Sequence, residues 1–117
     1  MATYTKALLS GSTQGKQIKI SATTNGGANT IHTAVSGTSN LDEIWLYATN
    51  VDTVARDLTI LWGGTTEPDN QMVVSIPSKG GRILIVDGAL LQNSLVVKAY
   101  ASAANVILVD GFVNAIT

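Results

Sequence analysis

The chain has 117 residues, a formal net charge of −1, no cysteine, and only 13% charged residues. These values exclude a disulfide scaffold and thiolate metal sites, and leave no basic field to hold nucleic acid or an anionic membrane. No apolar run approaches the ~20 residues of a membrane span, and the N-terminus lacks the basic-then-apolar layout of a signal peptide.

The charge content is about half the usual ~25%. Polar surface must therefore come from Ser, Thr, Asn and Gln, with little like-charge repulsion to keep copies apart. That composition suits a protein that works in an assembly. The length fits one domain, residues 1–117, since domains commonly hold roughly 100–150 residues.

Residues 1–12 read as an extended arm or edge strand carrying Tyr4, Leu8 and Leu9, with a turn after Leu9. Such an arm either completes its own sheet or reaches a neighbour. Lys16 to Thr24 alternates, with Ile18, Ile20 and Ala22 inward, as a half-buried strand does. Asn25-Gly26-Gly27 predicts a tight turn, and Asn29 to Val35 another short strand.

Leu41 to Thr49 and Arg56 to Gly63 are the strongest strand signals, rich in β-branched, aromatic and long aliphatic residues. The short link from Asn50 to Ala55 predicts that they pair as an antiparallel hairpin. Ile44, Leu46 and Ala48 share one face, with Trp45 and Tyr47 on the other. Leu58, Ile60 and Trp62 likewise oppose Thr59 and Leu61. Both faces thus carry large apolar groups, so one of them needs a partner beyond a single core.

Gly63 to Asn70 is the longest loop, and Gln71 to Ile76 returns as a strand ended by Pro77. Ser78-Lys79-Gly80-Gly81 predicts a hairpin into Arg82 to Val86. Asp87-Gly88 predicts a turn and Ala89 to Ser94 one helical turn. Leu95 to Ala101 and Asn105 to Ile116 close the chain, the latter bent or bulged at Gly111. Eight or nine strands without a helical period predict an all-β fold: one antiparallel β-sandwich, jelly-roll-like.

Residues for chemistry are scarce. His32 is the only histidine and sits mid-strand with no nucleophile motif, which predicts a hydrogen-bonded strand residue or a subunit contact. Asp42, Glu43, Asp52, Asp57, Glu67, Asp69, Asp87 and Asp110 read as turn-forming or solvated carboxylates. Gly63-Gly64 and Gly80-Gly81 read as turns, because Lys79 precedes its glycines where a phosphate loop has the lysine after them. The sequence predicts no catalytic residues, no metal site and no cofactor. The aromatics divide among core, protein interface and sugar stacking.

Several stretches resemble a family of short, β-rich virion proteins of tailed bacteriophages. They are Met1 to Lys6, Thr30 to Val35, Leu41 to Ala48, Trp62 to Thr66, Asn93 to Tyr100 and Gly111 to Asn114. The resemblance implies a non-enzymatic structural component of the particle: a capsid decoration or cement protein stabilising the head. The alternatives are a neck, tail or fibre-base component, or a carbohydrate-binding module used in adsorption. The implied partners are a major capsid protein or another virion protein, with neither nucleic acid nor membrane. A homo-oligomer is expected, with a trimer chosen only from the local threefold positions of a capsid lattice. Tyr4, Leu8, Leu9, Trp45 and Tyr47 are the candidate partner interface.

Overall fold

The computed structural model describes residues 2–117; Met1, the first residue of the predicted arm and of one resembling stretch, lies outside the described residues. The strands are β1 (Tyr4–Leu8), β2 (Ile18–Lys19), β3 (Asn29–Thr33), β4 (Leu41–Asn50), β5 (Arg56–Trp62), β6 (Gln71–Ile76), β7 (Ile83–Leu91), β8 (Val96–Ala101) and β9 (Ile107–Ile116). The predicted Asn25-Gly26-Gly27 turn is a single 3-10 turn.

Two antiparallel sheets result. The first runs β1-β9-β4-β7, with β2 following β1 along the same edge of β9; the second runs β3-β8-β5-β6. Apart from β1–β2 and β5–β6, consecutive strands lie in different sheets, so the chain crosses between layers at almost every turn. This alternation over two packed sheets is jelly-roll order.

The expected β4–β5 hairpin does not form. β4 pairs with β7 and β9, while β5 pairs with β6 and β8. The two strands meet face to face instead: Ile44, Leu46 and Ala48 share the core with Leu58 and Ile60 across the layers. Large apolar residues on facing rows favour this packing as strongly as a hairpin, and periodicity does not distinguish the two. The fully buried Asn50 directs the crossing, donating from Nδ2 to the carbonyls of Val54 and Ile76, both at 2.9 Å.

The predicted hairpin at Ser78–Gly81 is likewise a crossing, from β6 in the second sheet to β7 in the first. Asp87-Gly88 does not turn the chain. β7 runs through it with a register shift against β4, and Gly88 takes φ +82° beside Trp45. The predicted helical turn at 89–94 is the end of β7 and a tight turn, with Asn93 and Ser94 at positive φ. Gly111 is not a bulge, because β9 pairs with β4 without interruption from Ile107 to Ile116. A Cβ there would lie 1.9 Å from the Trp45 carbonyl oxygen, so glycine serves close backbone approach. Of the predicted strand at 16–24 only Ile18–Lys19 pairs as a strand, yet Ile20 and Ala22 are buried as expected.

Candidate functional site

The outer face of the first sheet follows from strand register. Directly opposed residues in an antiparallel sheet share a face. Leu8 opposes Phe112, which opposes Trp45. Lys6, Asn114 and Glu43 form the next row, while Tyr47 opposes Asp110 on one side and Leu84 on the other. Since Ile44 and Leu46 point into the core, all these residues point away from it. Tyr4 is 68% exposed here, Leu8 57%, Leu90 51% and Leu84 46%. This is an apolar face on the outside of the sandwich.

Polar groups lock its centre. The Trp45 and Phe112 rings lie nearly parallel, at 9° and 6.0 Å between centroids. Lys6 Nζ sits 4.8 Å from the Phe112 centroid, and the Arg82 guanidinium carbon 3.5 Å from that of Tyr47. Arg82 Nε also donates to both Asp110 carboxylate oxygens, at 2.9 and 3.1 Å. Glu43 Oε1 accepts from Asn114 Nδ2 at 2.9 Å and Trp45 Nε1 at 2.8 Å. Those two bonds, Asn114's the larger effect, hold the Glu43 carboxyl below its usual range.

The opposite outer face is partly covered by its own chain, although Val73, opposite Thr59, stays exposed. Thr59 and Leu61 point away from the core, yet both are buried. The loop from Gly63 to Asn70 folds back on this side, where Glu67 accepts from the Tyr100 hydroxyl and from Asn25 Nδ2. Asn25 Nδ2 also donates to the Thr65 carbonyl at 2.8 Å. A cleft of about 260 Å³ at the loop's edge is lined by Gly63, Gly64, Thr65, Leu95 and Lys98 among others.

Of the predicted interface residues, Tyr4, Leu8, Trp45 and Tyr47 come together on the first sheet's outer face. Leu9 does not: it is buried in the core and unavailable to a partner. The backbone turns after β1, so Leu9 leaves the edge and inserts between the layers. Sequence reasoning missed Leu84, Leu90 and Phe112. Phe112 was legible, since it falls between the inward Val109 and Val113 on the row of Asp110 and Asn114. Leu84 lay in the predicted strand Arg82 to Val86, but its pairing beside Tyr47 was not foreseen, and Leu90 was hidden by the turn expected at Asp87-Gly88.

His32 and Asp42 are buried together. Asp42 is thus not a solvated carboxylate: its Oδ2 lies 2.8 Å from His32 Nε2 and accepts the Val35 N–H at 3.1 Å. The Ser10 backbone N–H donates to His32 Nδ1 at 3.0 Å, which fixes the proton on Nε2 in the neutral ring. Ser10 Oγ accepts from the Thr33 N–H. A serine, a histidine and an aspartate therefore converge, but the Ser10 N–H and Asp42 take both ring nitrogens, and among the described residues no hydroxyl bonds to the imidazole. Among the described residues no three His, Asp or Glu side chains cluster as metal ligands would. Comparison with family models, curated proteins and solved structures finds no match for this chain.

Proposed function

We propose that the protein is a non-enzymatic structural component of a tailed-phage particle, acting as a decoration or cement protein on the head. The observation that carries this reading is the outer face of the first sheet. It exposes Tyr4, Leu8, Leu84 and Leu90 around a stacked Trp45–Phe112 centre, while the other outer face is partly covered by its own loop. Exposed apolar area of that kind marks a surface that meets another macromolecule. A head protein resists the outward pressure of packed DNA by burying area across subunit junctions, and many copies multiply the effect. The resemblance noted in the strand and turn sequences supplies the particle as the setting. The carbohydrate reading gains nothing here, since Arg82 already occupies a face of Tyr47.

The test uses phage heads assembled without this protein. The unaltered chain should bind them at saturating lattice stoichiometry and raise their resistance to heat or chelation. Leu84→Glu with Leu90→Glu should weaken binding roughly tenfold or more while leaving the fold intact, because both side chains are already in solvent. Stoichiometry fitting only a single ring would assign the protein to the neck or tail. No binding to any particle component would overturn the reading.

A further inference from the structure

A sheet edge presents unpaired N–H and C=O groups, and proteins ordinarily blunt it with charge, proline, a bulge or shortness. Three of the edges here are blunted. β1 carries Lys6, and β2 is two residues long and carries Lys19. β3 is irregular between Thr30 and His32. β7 shifts register twice against β4 and carries Asp87. β6 has none of these devices. Its sequence is Gln71-Met72-Val73-Val74-Ser75-Ile76, and its register against β5 is unbroken from Leu61–Gln71 to Arg56–Ile76. Val73 is 56% exposed. Beyond β5, the backbone of residues 72–75 makes no hydrogen bond among the described residues.

The geometry points to β6 as a homotypic docking edge, on which the β6 strand of a second copy pairs antiparallel about a two-fold axis at Val73. Hydrogen-bond alternation sets which residues can take part. The Trp62 N–H donates to the Asn70 carbonyl, so even-numbered residues of β6 face β5 and odd-numbered ones face the open edge. Val73 and Ser75 therefore hold free groups, whereas the Gln71 N–H is taken by the Pro68 carbonyl. Centred on Val73, each Val73 exchanges both bonds with its counterpart, and each Ser75 N–H meets the other copy's Gln71 carbonyl. Met72 then lies against Val74 on the core side, extending both cores across the junction.

The occupant is a second copy because the strand complements itself. A two-fold axis sets each central residue against its own kind, which a charged strand does not tolerate, and residues 71–76 carry no charge. The flanks match as well. Antiparallel pairing brings the exposed Glu67–Asp69 end of one copy toward the exposed Lys79 of the other, at both ends of the junction. The pairing is independent of what the apolar face of the first sheet binds.

The test is sedimentation of the full chain together with cysteine cross-linking. The chain has no cysteine, so Val73→Cys introduces a unique thiol. Directly opposed hydrogen-bonded residues sit about 5.5 Å apart at Cα, within disulfide reach. Val73→Cys should oxidise to a disulfide-linked dimer far faster than Leu84→Cys on the apolar face. The unaltered protein should sediment as a dimer at high concentration, and Val73→Lys should shift it to monomer while leaving the melting temperature unchanged at dilutions where both proteins are monomeric. Equal oxidation rates for the two cysteine variants overturn the proposal, as does a mass of one or three chains for the unaltered protein at every concentration.

Discussion

Asp42 Oδ2 accepts from His32 Nε2 at 2.8 Å, and this bond joins β4 in the first sheet to β3 in the second. Both side chains are buried, and the Ser10 N–H approaches His32 from the segment that follows β1. One polar contact thus ties three chain segments that hydrophobic packing alone would leave free to slide.

Asp42→Ala should therefore destabilise the fold. It leaves the His32 Nε2–H and the Val35 N–H without an acceptor in a dry site, a loss of about 2–4 kcal/mol. Urea unfolding measures it. The double change His32→Leu with Asp42→Leu should recover part of that loss, since removing both partners leaves fewer orphaned groups. An Asp42→Ala loss below roughly 0.5 kcal/mol, the usual surface range, would show that the pair is dispensable. Nitrogen chemical shifts of His32 should report the Nε2–H tautomer.

Gly111 and Gly26 separate close approach from mere turn geometry. An added Cβ at Gly111 meets the Trp45 carbonyl oxygen at 1.9 Å, so Gly111→Ala must force β9 away from β4. A loss of about 3 kcal/mol or more is expected from such overpacking against backbone. Gly26→Ala meets nothing within 4 Å and should stay within roughly 0.5 kcal/mol of the unaltered protein. Similar losses at both sites would mean that the β4–β9 spacing is not set at Gly111.

Stability should fall at both ends of the pH scale for different reasons. Asp52 is held below its usual 3.8 chiefly by the Arg56 side chain and then by the Thr53 N–H, and Glu43 below its usual 4.5. A depressed carboxyl pKa stabilises the fold fully above the unfolded value and loses that contribution as pH falls through the folded one. Melting temperature should therefore decline below about pH 4.5, and less steeply in Glu43→Gln. Tyr100 is raised above 10.0, first by its bond to the Glu67 carboxylate and then by burial. That contribution is complete below pH 10.0 and is lost as pH rises through the folded value. Ultraviolet titration should show a tyrosine ionising above pH 10.0, and Tyr100→Phe should abolish that step. A late step that survives the substitution would show that the Tyr100–Glu67 bond does not raise the Tyr100 hydroxyl.

Strand positions were legible in the chain because alternation is a local signal. Ile44, Leu46, Leu58 and Ile60 are core residues, as their spacing predicts. Strand partners were not legible. The links after Asn50 and Pro77 have hairpin length and hairpin residues, yet both cross between sheets, held by bonds from Asn50, Ser78 and Lys79 to distant backbone. Nothing within either link encodes those bonds. The interaction face suffered in the same way: Trp45 and Tyr47 were visible from β4, while Leu84 joins them through the unforeseen β4–β7 pairing and Leu90 because β7 runs on through Gly88. Leu9 was grouped with its neighbour Leu8, although alternation places adjacent strand residues on opposite faces and, with Leu8 outward, turns Leu9 toward the core.

That difference between Leu8 and Leu9 sets the outcome of truncating the arm. β1 pairs with β9 from Tyr4–Ile116 to Leu8–Phe112, but all five of its residues are exposed. Its contribution is edge hydrogen bonding, which frays easily. Leu9 is a core side chain, and the Ser10 N–H beyond it holds His32. Removing residues 2–9 should therefore cost stability close to that of Leu9→Ala, about 2–5 kcal/mol, with further loss from loosening Ser10. Removing only residues 2–7 should cost far less, roughly 1–2 kcal/mol, because it spares Leu9. If the exposed Tyr4 and Leu8 meet a partner, Tyr4→Ala with Leu8→Ala should weaken head binding while the melting temperature barely moves. Equal destabilisation by the two truncations would place the arm's contribution in β1–β9 pairing and not in Leu9. Unaltered head binding by the Tyr4 and Leu8 variant would confine the partner contact to the Leu84–Leu90 side of the face.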